Sequence, residues 1–259
     1  MTKKQRTILM IFATLAVLAG MTLVILSSKN HRRTVMCEGL RVEFSDNFNF
    51  VTEDDVKAYI ERNYGSYIGQ RLDSVDLARI EKILDVQSAI LKSEAYTTED
   101  GMLNVMIAQR EPVLRFQKHE IGFYMDERGY IFPLQDNYTS HVTVIDGDIP
   151  VSYTPGYKGE ASSEKEARWL KGVLAMTKYM AKSKIWSENI SQISVNDAGD
   201  IVLVPREGKE KFIIGSPSGY EEKLSKIEKY YQYIKPAKED DWYTIVNVKY
   251  NGQIICRRK

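Results

Sequence analysis

Three histidines, two cysteines and a few adjacent acidic residues are the side chains of this sequence that could do chemistry. His31, His119 and His141 stand far apart, and no H-x-x-x-H, H-E-x-x-H or C-x-x-C spacing occurs, so a transition-metal site is not expected. There is no G-x-S-x-G turn to expose a nucleophilic serine and no G-x-x-x-x-G-K-[ST] loop to cradle a phosphate. Gly215-Ser216-Pro217-Ser218-Gly219 precedes a helical pattern, where backbone amides could hold an anion; a turn followed by a cap explains the same residues. Asp54-Asp55 and Asp240-Asp241 could supply a general acid and base, yet the first pair fits a helix start and the second a polar loop. Cys37 and Cys256 could pair only if the fold brought them within reach, and they fall in different halves. Two N-x-[ST] sequons, at Asn137 and Asn189, matter only on a eukaryotic secretory route. No catalytic residue, cofactor, metal or small-molecule substrate is expected, and the chain reads as one that binds rather than catalyses.

The elements that would carry such residues are regular enough to place. Leu40, Val42 and Phe44 alternate with Arg41 and Glu43, the pattern of a half-buried strand. Thr52 and the carboxylates behind it open a helix with Val56, Tyr59 and Ile60 on its apolar stripe. Asp73 and Ser74 are expected to cap a second helix, buried through Leu77, Ile80 and Leu84. Strands from Ile90 to Tyr96 and from Met102 to Gln109 follow, joined by the turn Glu99-Asp100-Gly101. The order is β-α-α-β-β. Arg110-Glu111-Pro112 interrupts the ladder, because proline lacks a donor, and a domain boundary is expected there.

The second half begins with strands Val113–Gln117, Ile121–Met125, Tyr130–Pro133 and Val142–Ile145. Residues 147–162 read as loop. Ser163 and Glu166 form a capping box for a helix running to about Lys182. Ile190–Val195, Asp200–Pro205 and Lys211–Ile214 form a small meander. Ser218 is expected to cap a further helix whose Leu224, Ile227, Tyr231 and Ile234 share a face. Tyr243–Tyr250 and Gln253–Arg257 flank Asn251-Gly252, the strongest two-residue hairpin signal in the chain. Tyr220, Tyr230, Tyr231, Tyr233, Trp242, Tyr243 and Tyr250 crowd this end. Such residues fill a small β core, and they also suit an interface, burying area while keeping a polar tip. A strand near the chain end readily becomes a sheet edge, and an exposed edge invites strand addition by a partner.

Composition adds one asymmetry. Of 259 residues, 36 are Lys or Arg and 35 are Asp or Glu, a near-neutral balance that argues against nucleic-acid binding. Yet Thr7 to Ser28 carry no charge, and Ile8 to Leu26 are almost all apolar. About 20 such residues cross a bilayer core as a helix. A cleavable signal peptide is the alternative, with Val17-Leu18-Ala19 as its site, but the apolar run continues past Ala19. A lipoprotein signal is excluded because Met21 stands where cysteine is required. A retained span from Thr7 to Leu26 is expected. Lys3, Lys4 and Arg6 on one side nearly balance Lys29, Arg32 and Arg33 on the other, so charge alone does not orient it. From Lys29 onward the chain is mildly acidic.

A basic tail, one span, a β-α-α-β-β unit and a terminal β domain together resemble the FtsQ/DivIB family of bacterial cell-division proteins. The run R-E-P-V-L-R-F from Arg110, then G-F-Y-M-D-E-R-G-Y-I-F from Gly122, resembles that family's junction, R-x-P followed by Y-x-x-D-x-x-G-x-x-F. The run from Tyr243 to Arg258, Y-T-I-V-N-V-K-Y-N-G-Q-I-I-C-R-R, resembles its closing Y-x-x-I-x-L-x-Y-x-x-Q-V-V, in a form most similar to Bacteroidetes versions. The resemblance implies an α+β architecture: a cytoplasmic tail, transmembrane helix and linker over 1–35, a polypeptide-transport-associated (POTRA) module over 36–111, and a mainly antiparallel β domain with flanking helices over 112–259. It implies a single-pass inner-membrane protein of the septum, N-terminus cytoplasmic and C-terminal domains periplasmic. It implies no catalysis, but recruitment and regulation of septal peptidoglycan synthesis through other division proteins. These are an FtsB/DivIC-type partner that pairs with the last strand, FtsL arriving with it, and FtsW/FtsI-type membrane proteins. Carried over by position, the partner contact comprises Tyr243, Ile245, Lys249, Tyr250, Gly252, Gln253 and Ile255, with Lys249 facing an acidic group on the partner. A POTRA-bearing component of envelope secretion or assembly is the alternative, and an anchored envelope hydrolase a more distant one.

Overall fold

The computed structural model describes residues 14–22, 35–135, 137–238 and 242–258. Residues 14–22 are helical, and among the described residues no helix is long and apolar enough to cross a membrane. The expected span, Thr7 to Leu26, lies largely outside the described residues, as do His31, Asp240 and Asp241. The chain divides into two units, one ending at Gln109 and the other beginning at Arg110.

The first unit runs β1 (Gly39–Phe44), α1 (Glu53–Asn63), a 3-10 turn (Leu72–Ser74), α2 (Leu77–Asp85), β2 (Ile90–Thr97) and β3 (Met102–Gln109). Its sheet has the order β1-β3-β2, with β1 parallel and β2 antiparallel to β3. Alternation works as the sequence requires: Leu103, Val105 and Ile107 are buried together with Val56, Ile60, Ile80 and Leu84 from the helices. Thr52 caps α1, its hydroxyl accepting from the Asp55 amide at 3.2 Å while the Asp55 carboxylate accepts from the Thr52 amide at 2.9 Å. The cap of α2 differs from expectation. Asp73 and Ser74 sit in the 3-10 turn, with Asp73 held by Arg71, and Val75 is extended; the helix starts afresh at Asp76, whose carboxylate accepts from the Arg79 amide at 3.0 Å. Two carboxylates of α2 then reach β2: Asp85 accepts from the Ser93 amide at 2.7 Å and Glu81 from the Ala95 amide at 2.8 Å. The outer edge of β2 is thereby blunted from within.

The second unit is a nine-stranded sheet of order β12-β11-β10-β9-β8-β7-β4-β5-β6. Its strands are β4 (Pro112–Lys118), β5 (Ile121–Asp126), β6 (Ile131–Pro133), β7 (Thr143–Gly147), β8 (Ile190–Val195), β9 (Ile201–Pro205), β10 (Lys211–Gly215), β11 (Ile245–Asn247) and β12 (Ile255–Arg257). Antiparallel neighbours outnumber parallel ones, but β4–β7, β7–β8 and β10–β11 run parallel. Pro112 does not break the ladder; it begins β4, a position where the missing N–H is tolerated, and a register shift follows before Leu114. Helices α3 (Glu164–Ala181), α4 (Lys184–Asn189) and α5 (Tyr220–Lys229) join the sheet through one core containing Phe116, Phe123, Leu170, Met176, Trp186, Phe212, Leu224, Ile227 and Val246. The six-residue α4 is too short to show a period, and the sequence gives no sign of it.

Two local expectations are corrected. Ser163 does cap α3, but Glu166 does not close the box on it: its carboxylate takes the amides of Ser152 and Ser162. Ser218 does not cap α5; Gly219 occupies the cap with φ 62, and Ser218 bonds the Ser216 hydroxyl. The expected face of α5 continues into a π-turn over Tyr230–Ile234: Leu224 and Ile227 are buried, Tyr231 and Ile234 pack half-buried against the same core, and Tyr230 joins them fully buried.

Candidate partner-docking edge

β12 is the outermost strand at one end of the large sheet. It pairs with β11 through Ile245↔Arg257, Val246↔Cys256 and Asn247↔Ile255. The Thr244 amide donates to the Arg257 carbonyl at 3.0 Å, so the main chain of Arg257 faces β11. Strand residues alternate the direction of their peptide groups, which turns those of Cys256 outward. The opposite end is closed: Ile131 of β6 and Gly159 exchange both amide bonds, at 2.7 and 2.9 Å.

The tail does not form the two-residue hairpin that Asn251-Gly252 signals. β11 stops at Asn247 and β12 starts at Ile255, leaving residues 248–254 as the connection. Side chains explain why. The Asn247 carboxamide accepts from the Lys249 amide at 3.0 Å, ending the strand. Lys226, on α5, donates to the carbonyl of Tyr250 at 2.6 Å and of Val248 at 3.5 Å. Gly252 turns the loop with φ 66, a conformation that glycine adopts without strain.

The seven residues expected to contact a partner all lie on this tail. Tyr250 is 49% exposed and Ile255 46%; Gly252 and Gln253 are also exposed, while Tyr243 and Ile245 are half-buried. Lys249 already has an acid within the chain: its ammonium meets the Asp200 carboxylate at 2.7 Å, which raises its pKa. The aromatic cluster divides between the two uses open to it. Tyr230 is buried, its ring 5.6 Å from Phe212, whereas Tyr233 and Tyr250 are exposed. Tyr230 and Tyr231 both have pKa values pushed far up, by burial first and then by Glu210. Trp242 lies beneath Arg258, whose guanidinium carbon is 4.0 Å from the ring centre.

Sequence reasoning missed Lys226, Glu222 and Asp200. One signal was present: Lys223 and Lys226 flank Leu224 and Ile227 on a stripe that should be apolar, and both lysines are buried.

Side chains with chemical potential are spoken for elsewhere. Asp55 closes the capping box of α1 on Thr52, and the Ser216 carbonyl in the glycine-rich turn accepts from Lys223 at 2.8 Å. His119 meets Asp148 at 3.5 Å; Cys37 and Cys256 are both free thiols. Among the described residues no group of three His, Cys, Asp or Glu side chains could hold a metal. A cleft of about 690 Å³ between α3, α4 and strands β7 and β8 has one carboxylate in its lining, Asp146, which accepts from Gln192 at 2.7 Å.

The described residues form a three-stranded unit backed by two helices and a helix-covered nine-stranded sheet that ends at β12. Residues 35–108 match the POTRA-like domain, and residues 111–257 match the family described as FtsQ/DivIB, C-terminal related. The chain belongs to the FtsQ/DivIB family, a family of non-enzymatic cell-division scaffolds. Membership carries a role in cell division, association with the membrane at the division site, and interaction with other division proteins. No curated protein matches the chain.

Proposed function

We propose that this chain is a bitopic inner-membrane scaffold of the division machinery. Residues 7–26 span the membrane, with the N-terminal tail in the cytoplasm. A POTRA domain over 36–111 and a β domain over 112–259 stand in the periplasm. The β domain takes a strand from an FtsB/DivIC-type protein on the β12 edge, FtsL arrives with that partner, and the assembly helps recruit and regulate septal peptidoglycan synthesis by FtsW/FtsI-type enzymes. The observation that carries this reading is the contrast between the two ends of the sheet: β6 is bridged to Gly159, and among the described residues β12 has no strand beyond it. Main-chain bonds to the edge would supply affinity, and burial of Tyr250 and Ile255 would add to it. Lys249 would have to exchange Asp200 for an acid on the partner, or share itself between the two.

Two measurements test the reading. A fluorescent fusion of the full chain is expected at mid-cell; a uniform envelope signal would count against a division role. The purified full chain is expected to retain an FtsB/DivIC-type partner in a pull-down and to lose it on Tyr250→Glu. Undiminished capture by that variant would remove β12 and its loop as the docking edge.

A further inference from the structure

Lys226 is the least expected side chain near the docking edge. It lies on α5 and is only 6% exposed. An ammonium has three N–H donors and no acceptor. Here three acceptors surround it: the Tyr250 carbonyl at 2.6 Å, the Val248 carbonyl at 3.5 Å, and the Glu222 carboxylate at 2.9 Å, one helical turn earlier. Two of the three belong to the loop that leads into β12. Glu222 in turn has its pKa lowered, chiefly by Lys226 and next by the Gly252 backbone amide. The clamp therefore touches the loop at residues 248, 250 and 252, every second position along the run that ends at the edge strand.

Burying a cation costs free energy unless its donors are satisfied. An apolar residue would continue the stripe of Leu224 and Ile227 without that cost. What a lysine adds is a fixed position for the loop carbonyls. β12 needs it, because a three-residue strand paired on one side only is marginal on its own. The remaining loop contacts agree: Lys249 is tied to Asp200, and its Cβ lies 2.8 Å from where a side chain on Gly215 would begin.

We propose that Lys226, with Glu222, is a positioning residue that holds the 248–254 loop and β12 in the geometry a partner strand requires before the partner arrives. This rests on the docking reading above and deepens it. A preformed edge spares the partner the cost of ordering it, so the residue acts on affinity without touching the partner.

The test uses the full chain and three variants. Lys226→Met keeps the length and removes the donors. Lys223→Met is the control, since Lys223 is equally buried but donates to the Ser216 carbonyl rather than to the tail. Tyr250→Glu tests the edge itself. Amide hydrogen exchange is measured without partner, and affinity with a purified FtsB/DivIC-type protein. Lys226→Met is expected to speed exchange across residues 248–258 about tenfold and to weaken binding about tenfold, with Lys223→Met changing neither. Unchanged exchange at 248–258 in Lys226→Met, or an equal affinity loss in Lys223→Met, overturns the proposal. If exchange responds as expected but Tyr250→Glu still binds, the docking reading fails; the clamp then holds the loop, and its role toward a partner falls with that reading.

Discussion

The guanidinium of Arg110 meets the carboxylate of Asp126 at 2.9 Å, and the two side chains are only 12% and 8% exposed. The other carboxylate oxygen accepts from the amides of Arg128 and Tyr130, each at 2.9 Å, and the guanidinium lies 3.6 Å from the centre of the Tyr130 ring. One acid therefore fixes the Asp126–Gly129 turn and anchors the residue with which the β-rich unit begins. Removing one partner of a buried pair strands the other's charge, at a cost of about 3–5 kcal/mol. Arg110→Ala is expected to destabilise the second unit by that amount in urea unfolding. Arg110→Lys keeps the charge but loses the planar stack and should fall between. Equal stability of Arg110→Ala and the parent chain would refute the pairing as a structural element.

Gly147 ends β7 at φ 93, where an added Cβ would lie 2.1 Å from the Val195 carbonyl oxygen. Gly199 has a comparable φ of 76 but open space around it. Left-handed strain alone costs about 1–3 kcal/mol. Gly199→Ala should stay within that range, whereas Gly147→Ala should exceed it because β7 and β8 must also part. Thermal melts of the two variants measure the difference, and equal shifts would mean that the close approach costs nothing.

Burial and the nearby Glu210 hold the phenols of Tyr230 and Tyr231 in their neutral form. An unfolded tyrosine titrates near 10. Below that pH both states are protonated and the stabilisation is complete. Above it the unfolded chain releases protons that the folded chain retains, so stability falls as pH rises from about 10. Tyr231→Phe should flatten this alkaline decline, as followed by denaturant unfolding between pH 8 and 11. A decline as steep as that of the parent chain would assign it to other groups.

Cys256 offers a sharper test of the edge than a charge does. Its peptide groups point away from β11, so Cys256→Pro deletes a donor on the open side and spares the ladder to β11, and proline is tolerated on edge strands. The variant is expected to fold with an unchanged melting midpoint and to bind an FtsB/DivIC-type partner at least tenfold more weakly. Full affinity would show that strand addition does not use this edge.

The sequence was most legible where a pattern is local and repeated. Alternating residues between glycine or aspartate turns delimit β3 and β8 at the bounds observed. It was least legible where a distant side chain decides. Asn251-Gly252 signals a tight hairpin, but Lys226 on α5 and the Asn247 carboxamide hold the chain in a longer loop. The cap of α2 moved to Asp76 because an extended Val75 separates it from the preceding turn. That the tail strands form a sheet edge could be suspected from their place in the sequence. That β11 lies parallel to β10, with α5 and the π-turn between them in sequence, could not, since parallel pairing leaves no turn signature.

The bridge between Ile131 and Gly159 has a consequence for stoichiometry. A sheet with two open ends can pass its pairing from copy to copy, head to tail, and grow into a fibre. Here, among the described residues, one end is bridged at Ile131 by the chain's own backbone, so copies of this sheet are not set up to pair end to end, and a strand accepted at β12, as proposed above, would be taken up singly.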